Sequence, residues 1–256
     1  MKISTTSLIV ILVLLIGLLT GIYFISAQYA TPLTSATATQ TAVSNTSTIP
    51  MQIVSIHETA TSSPIVNVEY PQFSSLPAAW NKMIASSTTS RLANFRAEVA
   101  SSEAARKATG DPLAELAPSA YSFIASWQPA QINGHYISFI ERYDSYSGGA
   151  NGHQELQTFN FDEKTGMMMT LADLFPNQPD WLTKLSALAK SQLTDTLTQA
   201  SNGHLSQSIL DDGTAPVADN FQNFTFTDYA ITIYFPKYAV APGVFGEQHV
   251  TIPRNN

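Results

Sequence analysis

The sequence contains no cysteine, and this absence removes several kinds of chemistry at once. Disulfide bonds, thiolate metal sites, cysteine nucleophiles and a lipidated cysteine are all excluded. The fold must therefore be stabilised by the packing of its side chains. Enough material for this is present, because 256 residues with 44% hydrophobic content can fill one sizeable core or two small ones.

Charged residues are also scarce, at 12% of the chain, which is about half of their usual share in a soluble protein. The formal net charge is -7, and the sequence has no run of Lys or Arg. A protein that binds nucleic acid needs a basic surface to neutralise the phosphates. We therefore expect no nucleic-acid partner.

Long hydrophobic runs are absent except for one at the N-terminus, from Leu8 to Ile25. As a helix, a run of this length extends about 27 Å, which is close to the thickness of a membrane's hydrocarbon core. Lys2 precedes the run and the next basic residue is Lys82, which predicts a cytoplasmic N-terminus. We predict a membrane anchor over residues 1–27, with the rest of this single-pass protein outside the cytoplasm. A cleaved secretory signal is the alternative.

Three further segments follow the predicted anchor. Residues 28–50 are rich in Ala, Ser and Thr without apolar periodicity, which predicts a disordered linker. Residues 51–118 are interpreted as a small α+β domain and residues 119–256 as a larger α+β domain. The sequence leaves the oligomeric state open.

The predicted small domain begins with two strands, at Gln52–Glu58 and Ile65–Tyr70, in which apolar and polar residues alternate. Apolar residues then recur every three or four positions between Leu76 and Val99, which predicts an amphipathic helix. We expect this helix to be interrupted around Ser86–Ser90.

The predicted larger domain combines hairpins with a second helix. Its expected elements are a hairpin turning at Asn133-Gly134, a strand that ends in a turn from Asp162 to Gly166, a helix between Trp181 and Leu197, a hairpin around Asp228 and a last strand at Gln248–Ile252. Thr170 and Asp173 have the spacing of a capping box. The sequence therefore predicts an α+β fold of antiparallel sheets with two amphipathic helices, preceded by one transmembrane helix.

Several strings of residues resemble a known family. They are Tyr146-Ser147-Gly148-Gly149-Ala150, Phe159-Asn160-Phe161-Asp162, and Tyr234-Phe235-Pro236-Lys237-Tyr238 with Ala241-Pro242-Gly243. In order and spacing they are similar to the extracytoplasmic domain of RsiV-type anti-sigma factors, which also accompanies PdaC-type peptidoglycan deacetylases. Upstream, Val68 to Phe73 and Asn81 are similar to the smaller domain that precedes it in those proteins. The resemblance covers roughly residues 52–254.

The resemblance implies an ectodomain that recognises a partner related to the cell wall, either a lysozyme-like protein or a peptidoglycan glycan. Anti-sigma factors need a cytoplasmic segment that binds sigma, and the few residues before the apolar run are too short for one. Deacetylases need a pair of histidines on a metal, and the sequence has no His-x-x-x-His. The string Leu210–Gly213 is superficially similar to the deacetylase Asp-Asp-Gly, and we interpret it as a turn.

The sequence also lacks the common nucleophile, zinc-protease and phosphate-binding motifs. We therefore expect a membrane-tethered recognition domain that is not an enzyme and holds no cofactor or metal. His153 and Glu155 would share a face of a strand and could form an acid–base pair, but a surface or structural role is favoured. An envelope hydrolase or deacetylase-related enzyme with an unrecognised site, and a structural envelope protein, are the alternatives.

The segment from Tyr143 to His153 is the candidate binding site. It ends a strand with two tyrosines and then supplies glycines that let another molecule approach the backbone. Its candidate binding residues are Tyr143, Tyr146, Gly148, Gly149, Asn151 and His153. The alternative is a glycine-rich turn that serves only the fold. We interpret the aromatic residues between Phe221 and Tyr238, including Tyr229, as core and strand-pairing residues.

Overall fold

The structure is a computed structural model that describes residues 49–59, 64–110, 120–148 and 150–254. These residues belong to one compact unit, Asn45–Asn256. The predicted membrane anchor lies outside the described residues, as does nearly all of the predicted linker. Within the described ranges, no helix combines the length and the apolar character needed to cross a membrane.

Six strands form the larger sheet, in the order in which they occur along the chain. They are β1 (Met51–Glu58), β2 (Ile65–Phe73), β3 (Ser122–Ile132), β4 (Tyr136–Tyr146), β5 (His153–Asp162) and β6 (Met167–Met168). All neighbours are antiparallel except β2 and β3, which are parallel. The prediction of purely antiparallel sheets is wrong at this pair, because a helix crosses over between β2 and β3 and returns the chain in the same direction.

That crossover helix is α1 (Ala78–Thr109), which begins after Pro77 and ends at Gly110 in the left-handed conformation (φ 65°). It is continuous for 32 residues, so the predicted interruption around Ser86–Ser90 is wrong. The buried stripe runs through this stretch because Thr88, which is fully buried, takes the place of an apolar residue between Ile84 and Leu92.

The C-terminal part contains a second, three-stranded antiparallel sheet and two more helices. Its elements are β7 (Phe224–Phe226), β8 (Ala230–Phe235), β9 (Gln248–Pro253), α2 (Trp181–Ala200) and α3 (Gln207–Thr214), with short 3-10 helices at Leu171–Leu174, Ala218–Phe221 and Gly243–Phe245. The predicted hairpin around Asp228 and the predicted last strand are confirmed.

The string Leu210–Gly213 lies inside α3, so its interpretation as a turn is wrong. Gly213 serves close packing instead. A Cβ at this position would overlap the backbone carbonyl of Ala239. The glycine therefore lets the helix approach the neighbouring chain.

Two predicted turns are confirmed by their hydrogen bonds. Asn133 Oδ1 accepts the backbone N–H groups of His135 and Tyr136 at 2.9 and 2.8 Å, which closes the β3–β4 hairpin. Asp162 Oδ1 accepts the N–H groups of Lys164 and Thr165 at 2.8 and 3.1 Å, and Gly166 is left-handed (φ 65°). In both turns a short polar side chain fixes the backbone. The capping box is confirmed as well, at the 3-10 helix that follows Thr170.

Two hydrophobic cores are present. The first lies between α1 and one face of the six-stranded sheet, and its largest rings are Phe73, Phe139, Phe159 and Phe161. The second is formed around α2 and the three-stranded sheet. The division between the cores falls between Phe161 and Leu171, whereas the sequence-based interpretation placed a domain boundary at residue 118. Strands β2 and β3 pair across that position.

The opposite face of the six-stranded sheet meets the edge of β7 through polar side chains. Ser138 Oγ donates to Asn160 Oδ1 at 2.7 Å and accepts the N–H of Phe226 at 2.9 Å. Asn160 Nδ2 donates to the carbonyl of Phe224 at 2.8 Å, and the N–H of Phe224 donates to Thr158 Oγ1 at 3.1 Å. These residues, here named the β7 seam, satisfy backbone groups at the edge of β7 that faces away from β8, where no other described strand pairs with it.

Candidate functional site

A cleft of about 320 Å³ lies between α1 and the strands β3, β4 and β5. It is named the α1 cleft here. It is lined by Arg91, Asn94, Phe95 and Glu98 of α1 and by Phe123, Tyr143, Ser145, His153 and Glu155 of the strands. Phe95, Phe123 and Tyr143 are almost fully buried, so the floor of the cleft is aromatic and its rim is polar.

Elementary periodicity places these side chains together. The α1 residues are separated by three or four positions and therefore share one helix face. On the strands, Tyr143 and Ser145 are two apart, as are His153 and Glu155, so each pair points to one face. The β4–β5 register sets Tyr143 opposite Glu155 and Ser145 opposite His153.

Arg91 is held from several sides at the bottom of the rim. Its Nε donates to Glu155 Oε2 at 2.7 Å, and its Nη1 donates to the hydroxyl of Ser87 at 2.8 Å and to Gln157 Oε1 at 3.3 Å. The guanidinium also lies 4.3 Å from the centroid of the Tyr143 ring. A side chain fixed in this way loses little further conformational entropy when a ligand binds.

His153 and Glu155 form the second part of the rim. His153 Nε2 lies 2.8 Å from Glu155 Oε1, which confirms that the two side chains share a face. Partial burial acts to raise the pKa of Glu155, but the hydrogen bonds from Arg91 and His153 outweigh it and hold that pKa below its ordinary value. Glu155 is therefore an ionised acceptor at neutral pH, placed between two donors.

Below the cleft floor, a chain of hydrogen bonds leads to a buried carboxyl group, that of Glu141. The hydroxyl of Tyr143 lies 3.0 Å from the hydroxyl of Ser87 and donates to Glu141 Oε2. Thr88 Oγ1 also donates to Glu141 Oε2, at 3.3 Å. The residue is only 1% exposed, and its other oxygen, Oε1, has no hydrogen-bond partner among the described residues. We name this chain the Glu141 network.

Burial raises the pKa of Glu141 to about 7, although hydrogen bonds from Tyr143 and Thr88 and the charge of Arg91 act in the opposite direction. Burial, followed by the charge of Glu141, also raises the pKa of Tyr143 and that of Tyr70. A carboxyl group that exchanges its proton near neutral pH beside a cleft is typical of functional sites. Glu141 is not among the functional residues predicted from the sequence. It could have been found in the sequence, because it takes an inward-facing position of the strand between Phe139 and Tyr143, where an apolar residue is expected.

The predicted binding residues fall in different environments. Tyr143 and His153 line the α1 cleft, whereas Tyr146 and Asn151 line an adjoining depression on the other side of His153. Gly149 lies outside the described residues. The structure thus brings together part of the predicted set, and its role in binding stays a prediction.

Gly148 has a conformational role. Its φ is 98°, its carbonyl accepts a hydrogen bond from Arg106 Nη2, and a Cβ would lie 2.9 Å from the ring of Tyr121. The space beside it is filled by Arg106 and Tyr121 rather than open to another molecule. For Gly148, therefore, the geometry favours the alternative of a turn that serves the fold.

Two of the aromatic residues predicted to be internal are at the surface. Tyr229 is 80% exposed and Tyr238 is 66% exposed, so the interpretation as core residues is wrong for both. Phe221, Phe224, Phe226 and Phe235 are buried as predicted. The β7–β8 turn carries Tyr229, and the loop after β8 carries Tyr238.

The described residues offer no complete set of metal ligands. Within the described ranges, no three His, Cys, Asp or Glu side chains come close enough to hold an ion together. His153 and Glu155 supply two such groups, and both are engaged with one another.

Comparison with known proteins identifies the class of the C-terminal part. Residues 172–255 match the family described as "Protein of unknown function (DUF3298)". A DUF3298 domain therefore forms the last third of the chain, and it contains nearly all of the buried residues of the second core.

One curated protein of known activity is similar in sequence to part of this chain. The chain is 34% identical, over 119 residues, to the peptidoglycan-N-acetylmuramic acid deacetylase PdaC of Bacillus subtilis (strain 168). The match covers 46% of this chain and 25% of that enzyme, so this chain spans only about a quarter of its relative. The predicted resemblance to PdaC-type proteins is confirmed at this level, and the resemblance to RsiV-type anti-sigma factors stays a prediction.

Two solved structures share the fold. A DUF3298 family member from Bacteroides fragilis NCTC 9343 is 19% identical, with a TM-score of 0.57, over 82% of this chain and 92% of that one. A DUF3298 family protein from Pseudomonas aeruginosa PAO1 is 15% identical, with a TM-score of 0.50, over 80% and 91%. At these identities the comparison shows the fold alone.

Proposed function

We propose that this protein is a membrane-tethered recognition protein that binds a cell-wall glycan in the α1 cleft, outside the cytoplasm and without catalysing a reaction. The proposal rests on the chemical character of the residues that line the cleft. The cleft has an aromatic floor and a rim of amide, hydroxyl, imidazole, carboxylate and guanidinium groups. Sugars present both hydroxyl groups and apolar C–H faces, so such a lining suits them.

The relationship to a peptidoglycan deacetylase supports the choice of ligand. That enzyme acts, by its name, on N-acetylmuramic acid of peptidoglycan, and this chain matches a quarter of it. A shared part that lacks the metal-binding histidine pair is better suited to holding the polymer than to cleaving an amide bond. Peptidoglycan is therefore the ligand class that we propose.

The rigid rim favours binding over catalysis. An acid–base pair needs one group free to take up or give a proton to the ligand. Here both oxygens of Glu155 are engaged, one by Arg91 and one by His153, and its lowered pKa keeps it ionised. The arrangement supplies fixed donors and acceptors rather than a mobile proton.

A lysozyme-like protein is the second candidate, and net charge favours it. Without Lys2, the sequence has eleven Lys and Arg against nineteen Asp and Glu, a balance of -8 for the part that follows the apolar run. Such a surface attracts a cationic protein at long range. Charge alone gives no specific contact, whereas the α1 cleft is a defined concave site.

Binding can be measured on the full chain in mild detergent by calorimetry, with a peptidoglycan disaccharide and a lysozyme as the two probes. We expect the disaccharide to bind. Asn94→Ala, which removes an amide from the cleft rim, should weaken that binding about five- to tenfold, the effect of one lost hydrogen bond. The matched control is Asn67→Ala, an exposed position on β2 outside the cleft.

Different outcomes separate the candidates. Lysozyme binding without saccharide binding would support the second candidate and overturn the first. Acetate or reducing sugar ends released from intact peptidoglycan by the purified chain would show an enzyme. Equal weakening by Asn94→Ala and Asn67→Ala would exclude the α1 cleft as the site.

The membrane part of the proposal has its own test. Sequencing the mature N-terminus and treating intact spheroplasts with protease should show a retained apolar segment and digestion of the C-terminal part. A soluble product that begins at Gln28 would instead show a cleaved signal.

A further inference from the structure

Three depressions follow one another around the end of the β4–β5 pair at which the chain passes from β4 to β5. The α1 cleft shares Ser145 and His153 with a second depression of about 340 Å³. The second shares Asp144, Gln154 and Lys237 with a third, of about 330 Å³. Since Ser145 pairs with His153 and Asp144 with Gln154, the shared residues are direct neighbours at the strand ends. We name the three depressions together the strand-end groove.

Next to Lys237, which lines the second and third depressions, lies an aromatic ring held in an unusual way. Tyr238 has a left-handed backbone (φ 74°), a conformation that is strained for an aromatic residue, and yet its side chain is mostly exposed. Its ring lies against Gly243, where a Cβ would overlap the ring atoms. The exposed position of this ring therefore depends on a strained backbone at Tyr238 and on the absence of a side chain at Gly243, although the ring contributes little to the core.

Beside this ring, Lys237 is a cation without an ionic partner. Its Nζ lies 5.4 Å from the centroid of the Tyr238 ring and forms no ion pair with any described residue. The acids that line the same depressions have partners of their own. Asp144 accepts a hydrogen bond from Gln154 Nε2 at 2.8 Å. Glu155 is paired with Arg91, and Glu247 accepts two hydrogen bonds from Arg142, at 2.9 and 3.0 Å. An anionic ligand group in the groove would therefore find its counter-charge at Lys237.

We propose that the strand-end groove binds a glycan strand of several sugars, with a sugar ring on Tyr238 and the carboxylate of a muramic-type sugar at Lys237. This inference rests on the proposed function and extends it from a single cleft to a polymer. Each depression has the volume of a small-ligand site, roughly 300 Å³, so three in a row suit an oligosaccharide better than one sugar. Linked subsites also explain how weak individual contacts could give useful affinity.

The test compares ligand lengths on the full chain by calorimetry. The probes are peptide-free peptidoglycan glycans as disaccharide, tetrasaccharide and hexasaccharide, with neutral chitin oligosaccharides of equal length. We expect the hexasaccharide to bind at least about tenfold more tightly than the disaccharide. The chitin series should gain less with length, because it has no carboxylate for Lys237.

Variants then test the part of the groove that lies beside Lys237 and Tyr238. Lys237→Ala and Tyr238→Ala should reduce hexasaccharide affinity to the disaccharide level and leave disaccharide affinity unchanged. Gly243→Ala should have the same effect, because its methyl group displaces the ring without removing it. The matched controls are Lys164→Ala and Tyr229→Ala, which remove exposed side chains of the same types outside the groove. A melting temperature equal to that of the wild type, followed by tryptophan fluorescence, would show that each variant is folded.

The failures are distinguishable. Equal affinity for all lengths, or equal gain for the chitin series, would overturn the groove, while the proposed function of the α1 cleft would stand. Loss of disaccharide and hexasaccharide binding alike in Lys237→Ala would place the disaccharide outside the α1 cleft and would overturn both. Absence of binding to any of these saccharides would overturn the proposed function itself.

Discussion

The two faces of the six-stranded sheet each bury polar side chains, but in different ways. In the β7 seam, Ser138 and Asn160 bond to one another and to backbone groups of β7, so that the hydroxyl and the amide both have partners. In the Glu141 network on the α1 side, one carboxylate oxygen is buried without a partner among the described residues.

The difference indicates that the β7 seam stabilises the fold, whereas the buried carboxyl group of Glu141 does not. Neutral amides and hydroxyls that satisfy one another fix the position of an edge strand at little cost. A buried carboxyl group is unfavourable when ionised, and removing it need not destabilise the fold. Its retention beside the α1 cleft fits a role in holding Tyr143 and, through Ser87, Arg91. Three substitutions test this contrast.

The largest effect is expected in the β7 seam, from Asn160→Leu. This change keeps the volume but leaves the O–H of Ser138 without the acceptor Oδ1 and the carbonyl of Phe224 without the donor Nδ2. Two such buried groups should lower the free energy of unfolding by about 4 kcal/mol. Urea unfolding followed by tryptophan fluorescence measures this, because the three tryptophans, Trp80, Trp127 and Trp181, all lie among the described residues.

The matched control for that variant is Asn67→Leu, at an exposed position of β2, which should change stability by less than about 0.5 kcal/mol. A loss below about 1 kcal/mol in Asn160→Leu would mean that water replaces the lost bonds. The β7 seam would then be dispensable.

The second effect concerns Glu141 and depends on pH. With a folded-state pKa of about 7 against an ordinary value of 4.5, the folded chain keeps a proton that the unfolded chain has lost. The stability from this group is therefore complete below about pH 4.5 and declines as pH rises through 7, by about 3 kcal/mol in all. Glu141→Gln has no such ionisation, and we expect it to be more stable than wild type at pH 8.

Unfolding free energies of the wild type and Glu141→Gln at pH 5, 6, 7 and 8 measure that difference. Asp144→Gln tests an acidic residue of the same strand that is only half-buried, and it should leave the pH dependence of the wild type in place. A wild-type profile that is flat between pH 5 and 8 would contradict the burial of an ionisable Glu141.

The smallest effect is expected at the exposed end of the α1 side, from His153→Ala. The histidine bonds to Glu155 from a largely exposed position, and exposed pairs contribute little to stability. We expect a change of about 0.5 kcal/mol or less in the free energy of unfolding, together with weaker saccharide binding. A loss above about 2 kcal/mol would show that His153 is structural rather than part of the binding rim.

Much of the fold could be predicted because its local patterns are strong. The β3–β4 hairpin, the turn at Asp162 and the last strand were predicted from alternation and turn residues, and each is present. Local patterns do not specify which strands pair. The parallel pairing of β2 and β3 was therefore not predicted. The continuity of α1 was not predicted either, because Thr88 occupies a position where an apolar residue is expected.

The candidate site was less predictable, because it depends on tertiary contacts. His153 and Glu155 could be found by their spacing, but Arg91 joins them from a helix more than sixty residues earlier in the chain. The usual role of aromatic residues in cores and strand pairs predicted that Tyr238 is internal, whereas its side chain is mostly exposed and its backbone is left-handed. Sequence patterns do not report such strain.

The position of β1 at the edge of the sheet has a mechanical consequence. The chain enters the described fold at Ile49, and among the described strands β1 pairs with β2 alone. Tension transmitted along the chain from the N-terminal side would therefore load the contacts of Ile49 and the hydrogen bonds from Ser74 to the Pro50 carbonyl first, and then the β1–β2 hydrogen bonds. No residue of β1 lines the α1 cleft or the two depressions that continue it. We therefore expect the edge strand to separate from the sheet before force reaches the surfaces of the proposed ligand site.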